Sequence, residues 1–300
     1  MMSIFRRLRA YDRLTLGYLL LVLLFLVLSP QRPQATLRIS LMYCAAMAVV
    51  LLSASFGNRS RVFQFVHDFY PLALFTALFG QFTQLSTVIF PHWLEPLLIS
   101  FDTWLFGVNS HQWTAAHLSP AVFEFLAFAY WSYYLLIPGM LLLVYKKNYP
   151  HELIAATTRL CVTMYACYIM FMLSPARGPH HALSANGTLL IEGGFFTNLV
   201  HDIQRVGSVH GAAFPSSHVA VAWAMFFVLR RHYPKLVWLA GILIAALTLS
   251  VITIGYHFSL DAIGGVVVAF GINAVWRDKK TSTASRFSIV DLEVKEEQPG

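Results

Sequence analysis

Phe214-Pro215-Ser216-Ser217-His218 leads into one apolar run, and Gly255-Tyr256-His257-Phe258-Ser259-Leu260-Asp261 opens another. A further apolar segment, residues 236–255, lies between the two runs. If each run crosses a bilayer as a helix, the intervening hairpin returns the chain to the face it left. His218, His257 and Asp261 are then expected together at one membrane surface.

The composition supports crossing. Of 300 residues, 57% are hydrophobic and 12% charged, and the mean hydropathy is +0.62. Too little polar sequence remains to cover a soluble core of that size. A helix needs about 20 mainly apolar residues to traverse roughly 30 Å of hydrocarbon. There are eight candidate spans: 14–29, 37–56, 69–90, 121–145, 153–174, 216–231, 236–255 and 258–276. The expected fold is all-α, a polytopic membrane helix bundle. Cys44, Cys161 and Cys167 fall inside apolar segments, so neither a disulfide nor a thiolate metal site is indicated.

The net charge of +7 does not point to nucleic acid, because the basic residues sit in short clusters between apolar segments. Arg6 to Arg13, Arg59 with Arg61, Lys146 with Lys147, Arg230 to Lys235, and Arg277 to Lys280 all fall on one side of the eight crossings. The opposite side holds Arg32, Arg38, Arg177 and Arg205. The positive-inside rule puts the first group, and with it both termini, in the cytoplasm. Both motifs then face the periplasm, the lumen or the outside. The Arg-rich start before Leu14 lacks a small-residue cleavage site, so it reads as an uncleaved first span. The polar tail 277–300 reads as disordered. Residues 91–120 contain no Lys or Arg but carry Trp93, Trp104 and Trp113, which suits an aromatic-anchored interfacial segment.

The chemistry follows from residue type and position. Ser216 suits an N-cap, with an apolar helical run after it. The first turn of that helix aims free N–H groups and the positive dipole end outward, an arrangement that binds phosphate. His218 adds a titratable group in the same turn. His257 and Asp261 are spaced i and i+4, which places them on one helix face. A carboxylate so placed fixes one imidazole nitrogen and leaves the other free to attack. An ionisable pair near the top of a span is a functional hypothesis by default. The bland readings are a capped span with an interfacial histidine and a structural ion pair.

Pro-Ser-x-His opening one span and His-x-x-x-Asp opening the second span after it resemble the type 2 phosphatidic acid phosphatase superfamily. Arg177-Gly178-Pro179, on the loop before the first motif, resembles that family's Arg-Pro element. The likeness covers roughly 70–276. It divides the chain into an N-terminal part with two extra spans (1–68), a six-span catalytic core (69–276) and the tail (277–300). The resemblance implies metal- and cofactor-independent chemistry through a phosphohistidine. His257 would be the nucleophile, Asp261 its orienting carboxylate, and His218 the acid that protonates the leaving alkoxide and then activates the acceptor. Arg177, Ser216 and Ser217 would bind the phosphate oxygens of a membrane lipid phosphoester.

The departures are as telling. The family's Lys seven residues before the Arg is Met170 here, its Arg six residues before the nucleophile is Val251, and the usual Gly of its second motif is Ser217. Arg205, His180, His181, His201 and His210 are the replacements at hand on the outer loop. Loss of the third-motif Arg, with Tyr-His-x-x-x-Asp, also resembles the inositol phosphorylceramide synthase branch, which moves a phosphorylated headgroup to a lipid or polyol acceptor. Phosphatase and headgroup transferase both stay open. So does a non-catalytic lipid binder or transporter on the same fold, which the lost cations favour and the intact His218, His257 and Asp261 oppose. A serine protease using Ser216 or Ser217 lacks a Gly-x-Ser elbow. Oligomeric state is not legible.

Overall fold

The computed structural model describes residues 6–29, 34–57, 59–147, 149–183 and 193–276. The tail expected to be disordered lies outside the described residues. The chain is all-helical among the described residues, apart from one isolated bridge between Ala176 and Ala212. In chain order the helices are α1 (Ala10–Leu28), α2 (Thr36–Phe56), α3 (Arg61–Phe79), α4 (Phe82–Leu85), α5 (Glu95–Phe106), α6 (Ser110–His117), α7 (Pro120–Lys146), α8 (Pro150–Leu173), α9 (Pro179–Ala182), α10 (Phe195–Gly207), α11 (Ser217–His232), α12 (Val237–Thr253) and α13 (Ser259–Val275).

Eight of these correspond to the eight apolar stretches, but only six are long and apolar enough to cross a membrane by length and composition. The two exceptions are the motif helices, α11 with 16 residues and α13 with 17. Seventeen residues rise about 25 Å, short of the roughly 30 Å of a hydrocarbon core. The missing turns are the motifs themselves, which are drawn into irregular backbone before each helix. The two segments between α4 and α7 that contain the tryptophans form the short helices α5 and α6.

The third span is displaced from its expected range of 69–90, and residue 69 falls inside α3. Ser60 caps this helix by accepting from the Phe63 N–H at 3.3 Å, so it starts at Arg61. The polar residues of its first turns are accommodated by partners on α1 and just before it. His67 Nε2 lies 3.0 Å from Asp12 Oδ2, Tyr70 donates to Asp12 Oδ1 at 2.8 Å, and Arg9 pairs with Asp68. Asp12 is fully buried. Hydropathy alone passes over a segment whose charges are internally satisfied.

The site is positioned by α11, which packs against α13, α8, α12 and α7. Gly265 of α13 makes the closest approach possible: a Cβ there would lie 2.5 Å from the Ser216 carbonyl. α1 and α2 pair with each other, and α1 leans on α8. Large apolar side chains such as Leu24, Leu37, Leu41, Trp238 and Ile242 face outward, as expected for surfaces bathed in lipid. The end of the bundle opposite the motifs gathers polar links between helix termini. Arg231 pairs with Glu152 at 3.0 Å, Lys147 donates to the His232 carbonyl, and Arg159 lies 4.8 Å from the Trp276 ring centroid.

Candidate active site

Two helix starts build the site. Ser216 is the N-cap of α11, its Oγ accepting from the Val219 N–H at 3.5 Å. Asp261, in the first turn of α13, reaches back to accept the Phe258 N–H at 2.8 Å. The Ser216 N–H donates to the Asp261 carbonyl at 2.9 Å, which joins the two starts directly. His218 is the second residue of α11, part-buried between the buried Ser217 and Val219.

His257 is not inside a helix, although its spacing to Asp261 reads as one helix face. It precedes the N-cap Phe258, and its N–H donates to the Val251 carbonyl at 3.0 Å. The pair still meets, because Asp261 is turned back toward its own cap: His257 Nδ1 and Asp261 Oδ2 are 3.4 Å apart. Gly255, at φ 85°, makes the turn that delivers His257. The left-handed backbone favours glycine there, and the His111 ring would lie 3.0 Å from any Cβ. His111 is held by its own Nδ1, 2.8 Å from the Thr253 carbonyl.

The His218 and His257 rings face each other edge to face with centroids 6.0 Å apart. Two clefts meet at His218. One, of about 30 Å³, is lined by Tyr130, Gly178, His180, His218, Tyr256 and His257 among others. The second, of about 230 Å³, runs between α3, α7, α8 and α10 and is lined by Phe75, Phe79, Tyr133, Tyr168, Ser217 and His218 among others. The smaller cleft is of mixed polarity and holds both motif histidines, whereas the larger is mainly apolar. A molecule with a polar head and an apolar tail fits that pair of spaces with its junction at His218.

The other residues singled out in the sequence are placed differently. Ser217 lines the larger cleft, and Ser216 is fully buried at its cap. Arg177 lines neither cleft. Its Nε donates to Glu95 Oε1 at 2.7 Å, its backbone N–H donates to the same oxygen at 2.8 Å, and its guanidinium lies 4.8 Å from the centroid of Trp93. Of the loop residues, His180 reaches the smaller cleft. His181 stacks on His210 at 4.1 Å between centroids. His201 Nδ1 sits 2.8 Å from the Tyr256 hydroxyl. Arg205 is exposed and pairs with Asp202 at 3.4 Å.

Burial and the neighbouring imidazoles of His181 and His257 push His180 down to about 3. Burial, then His210 and Arg177, lower His181 to about 4. Both rings are therefore neutral near pH 7. Burial raises the Tyr256 phenol, so it stays protonated and able to donate.

Two carboxylates that sequence reading did not assign hold the frame. Asp102 of α5, fully buried, accepts the Ser110 N–H at 2.9 Å and the Ser259 N–H at 3.1 Å, together with both serine hydroxyls. It thus caps α6 and α13 at once. Glu124 of α7 accepts the N–H groups of Gly194, Phe196 and Thr197, capping α10. That helix lies along α7 and supplies Ile203 and Gln204 to the roof of the larger cleft. The available signal, for Asp102 alone, was an acidic residue in a segment free of Lys and Arg. Among the described residues no group of three or more His, Cys, Asp or Glu side chains is arranged to hold a metal ion.

A family model described as the PAP2 superfamily matches residues 96–275, more than half of the chain, including His218, His257 and Asp261. Comparison with curated proteins and with solved structures returns no match.

Proposed function

The chain belongs to the PAP2 superfamily, and from that premise we propose that it transfers the phosphoryl group of a membrane lipid phosphoester through a phosphohistidine on His257. The observation that carries this reading is the meeting of His218 and His257 at a cleft of mixed polarity that continues into an apolar one. Asp261 faces Nδ1 of His257, so Nε2 is the nitrogen left to attack phosphorus. The 3.4 Å separation shortens as the ring gains positive character, since catalytic hydrogen bonds tighten in the reacting complex. The bond from phosphorus to the leaving oxygen breaks as the new P–N bond forms, and His218 gives that oxygen a proton.

In the second step His218 removes a proton from the acceptor, which displaces His257 from phosphorus. Water as acceptor gives a lipid phosphatase; an alcohol gives a headgroup phosphotransferase. The larger cleft takes the apolar tail. Ser217 and the free N–H groups of the first turn of α11 hold phosphate oxygens, and fixed donors of this kind are the main source of stabilisation in such steps. Ser216 acts chiefly through its cap. The charge pattern of the loops supports a site facing away from the cytoplasm, with both termini inside.

The test is incubation of purified protein in EDTA with a labelled phospholipid panel, with and without myo-inositol, ceramide and diacylglycerol, beside His257→Ala. Inorganic phosphate released without acceptor identifies a phosphatase. A new headgroup lipid formed only with acceptor identifies a transferase. Equal silence from folded wild type and variant overturns the enzymatic reading in favour of a lipid binder or transporter.

A further inference from the structure

The smaller cleft has a charge deficit for its suggested cargo. None of its described lining residues is lysine or arginine. Two arginines adjoin lining residues in sequence: Arg205, exposed and paired with Asp202 at 3.4 Å, and Arg177, turned onto Glu95 and Trp93. Glu95 is itself almost fully buried, with one oxygen occupied by Arg177 and the other without a hydrogen bond. The pair therefore adds no net charge beside the site.

What the cleft offers instead is His180. Its backbone is fixed by donation to the Gly255 carbonyl at 3.1 Å. Both of its ring nitrogens are buried without a hydrogen-bond partner, although the ring lines the cleft with His218 and His257. The groups facing it are the rings of His181 at 3.9 Å and Tyr256 at 4.5 Å between centroids, with the Gly255 backbone, His257 and His210 also near enough to act on it. No carboxylate is among them. A buried polar group without a partner is costly, and a ligand oxygen in the cleft that this ring lines would supply one.

We propose that His180 is a neutral phosphate-binding donor, and that Glu95, by neutralising Arg177, sets the subsite to take a phosphate group bearing a single negative charge. A second negative charge would enter a partly buried space whose neighbouring arginines, Arg177 and Arg205, are each already paired with a carboxylate. Two sources share the monoanionic chemistry: a phosphodiester, and a phosphomonoester in its singly ionised form. The proposal rests on the smaller cleft being the phosphate subsite of the reading above. The lowered titration of His180 agrees with a neutral ring.

Binding of dihexanoyl phosphatidylglycerol and dihexanoyl phosphatidic acid to the full chain carrying His257→Ala, in detergent and by calorimetry at pH 8, tests this without turnover. The diester is expected to bind at least about tenfold tighter, the scale of one hydrogen bond to a charged group. Lowering the pH to 5.5 should narrow the gap by strengthening the monoester alone. Glu95→Gln keeps an acceptor for the Arg177 N–H but frees its charge, and should improve the monoester relative to the diester by about tenfold. His180→Phe should weaken both ligands. A preference for the dianion at pH 8, an unchanged ratio in Glu95→Gln, or failure of both ligands to bind overturns the proposal. Loss of the catalytic reading is separate: it shows as turnover unaffected by His257→Ala, whatever the binding preference.

Discussion

The backbone N–H of Ser216 donates to the backbone carbonyl of Asp261 at 2.9 Å, so the helix bearing His218 and the helix bearing Asp261 start from a shared bond. Neither side chain takes part. Asp261→Asn therefore leaves the two helix starts joined and keeps an oxygen for the Phe258 N–H, while removing the charge opposite His257 Nδ1. Turnover is expected to fall by about 10²–10⁴, the usual worth of correctly positioned proton chemistry, with the melting temperature in detergent little changed. Wild-type turnover in the folded variant would sink the orienting role.

Asp102 does for α6 and α13 what no single cap could. It satisfies two backbone N–H groups and two hydroxyls from residues as distant in sequence as Ser110 and Ser259. In Asp102→Ala all four donors lose their acceptor in a buried setting. A cost of about 1–3 kcal/mol attends each unsatisfied buried group, so a loss of at least about 3 kcal/mol is expected after relaxation. Unfolding in detergent measures it, and a curve that overlays wild type would mean the donors find other partners.

Much of this architecture was legible because hydropathy and capping are local. Eight apolar stretches became eight helices, and Ser216 could be read as a cap from its neighbours alone. His257 was legible as a partner of Asp261, although the geometry is a cap and not a shared helix face. The failures are all non-local. α3 begins eight residues early because Asp12, on another helix, satisfies His67. Arg177 was expected on the phosphate and is found on Glu95, a contact spanning 82 positions. Nothing near Glu124 in sequence announces that it caps α10 some 70 residues later.

His180 and His181 give the fold a defined acid limit. Both titrate lower in the folded chain, at about 3 and about 4, than the ordinary value of 6.5. Between those values the unfolded chain binds more protons than the folded one, so stability falls as the pH drops. It is complete above about pH 6.5 and declines progressively toward pH 3. Melting temperatures in detergent should follow that course. In His180→Gln the decline should be shallower, since the amide does not titrate. Identical slopes for variant and wild type would show that His180 contributes nothing to the acid limit.

Vanadate separates phosphohistidine chemistry from the alternatives. As an oxyanion that accepts a fifth ligand, it imitates the phosphorus between attacking nitrogen and departing oxygen, and a site complementary to that geometry binds it more tightly than substrate. The ligand would sit in the smaller cleft, with His257 on one side and His218 on the other, since both rings line it. Inhibition competitive with the lipid is expected, undiminished by EDTA because no step calls for a metal. Vanadate should also raise the melting temperature of wild type through preferential binding to the folded state. In His257→Ala that rise should shrink sharply, because the fifth ligand is gone, even though the variant has no turnover to inhibit. Full activity in excess vanadate, or an equal thermal shift in both proteins, would remove His257 from the role of nucleophile.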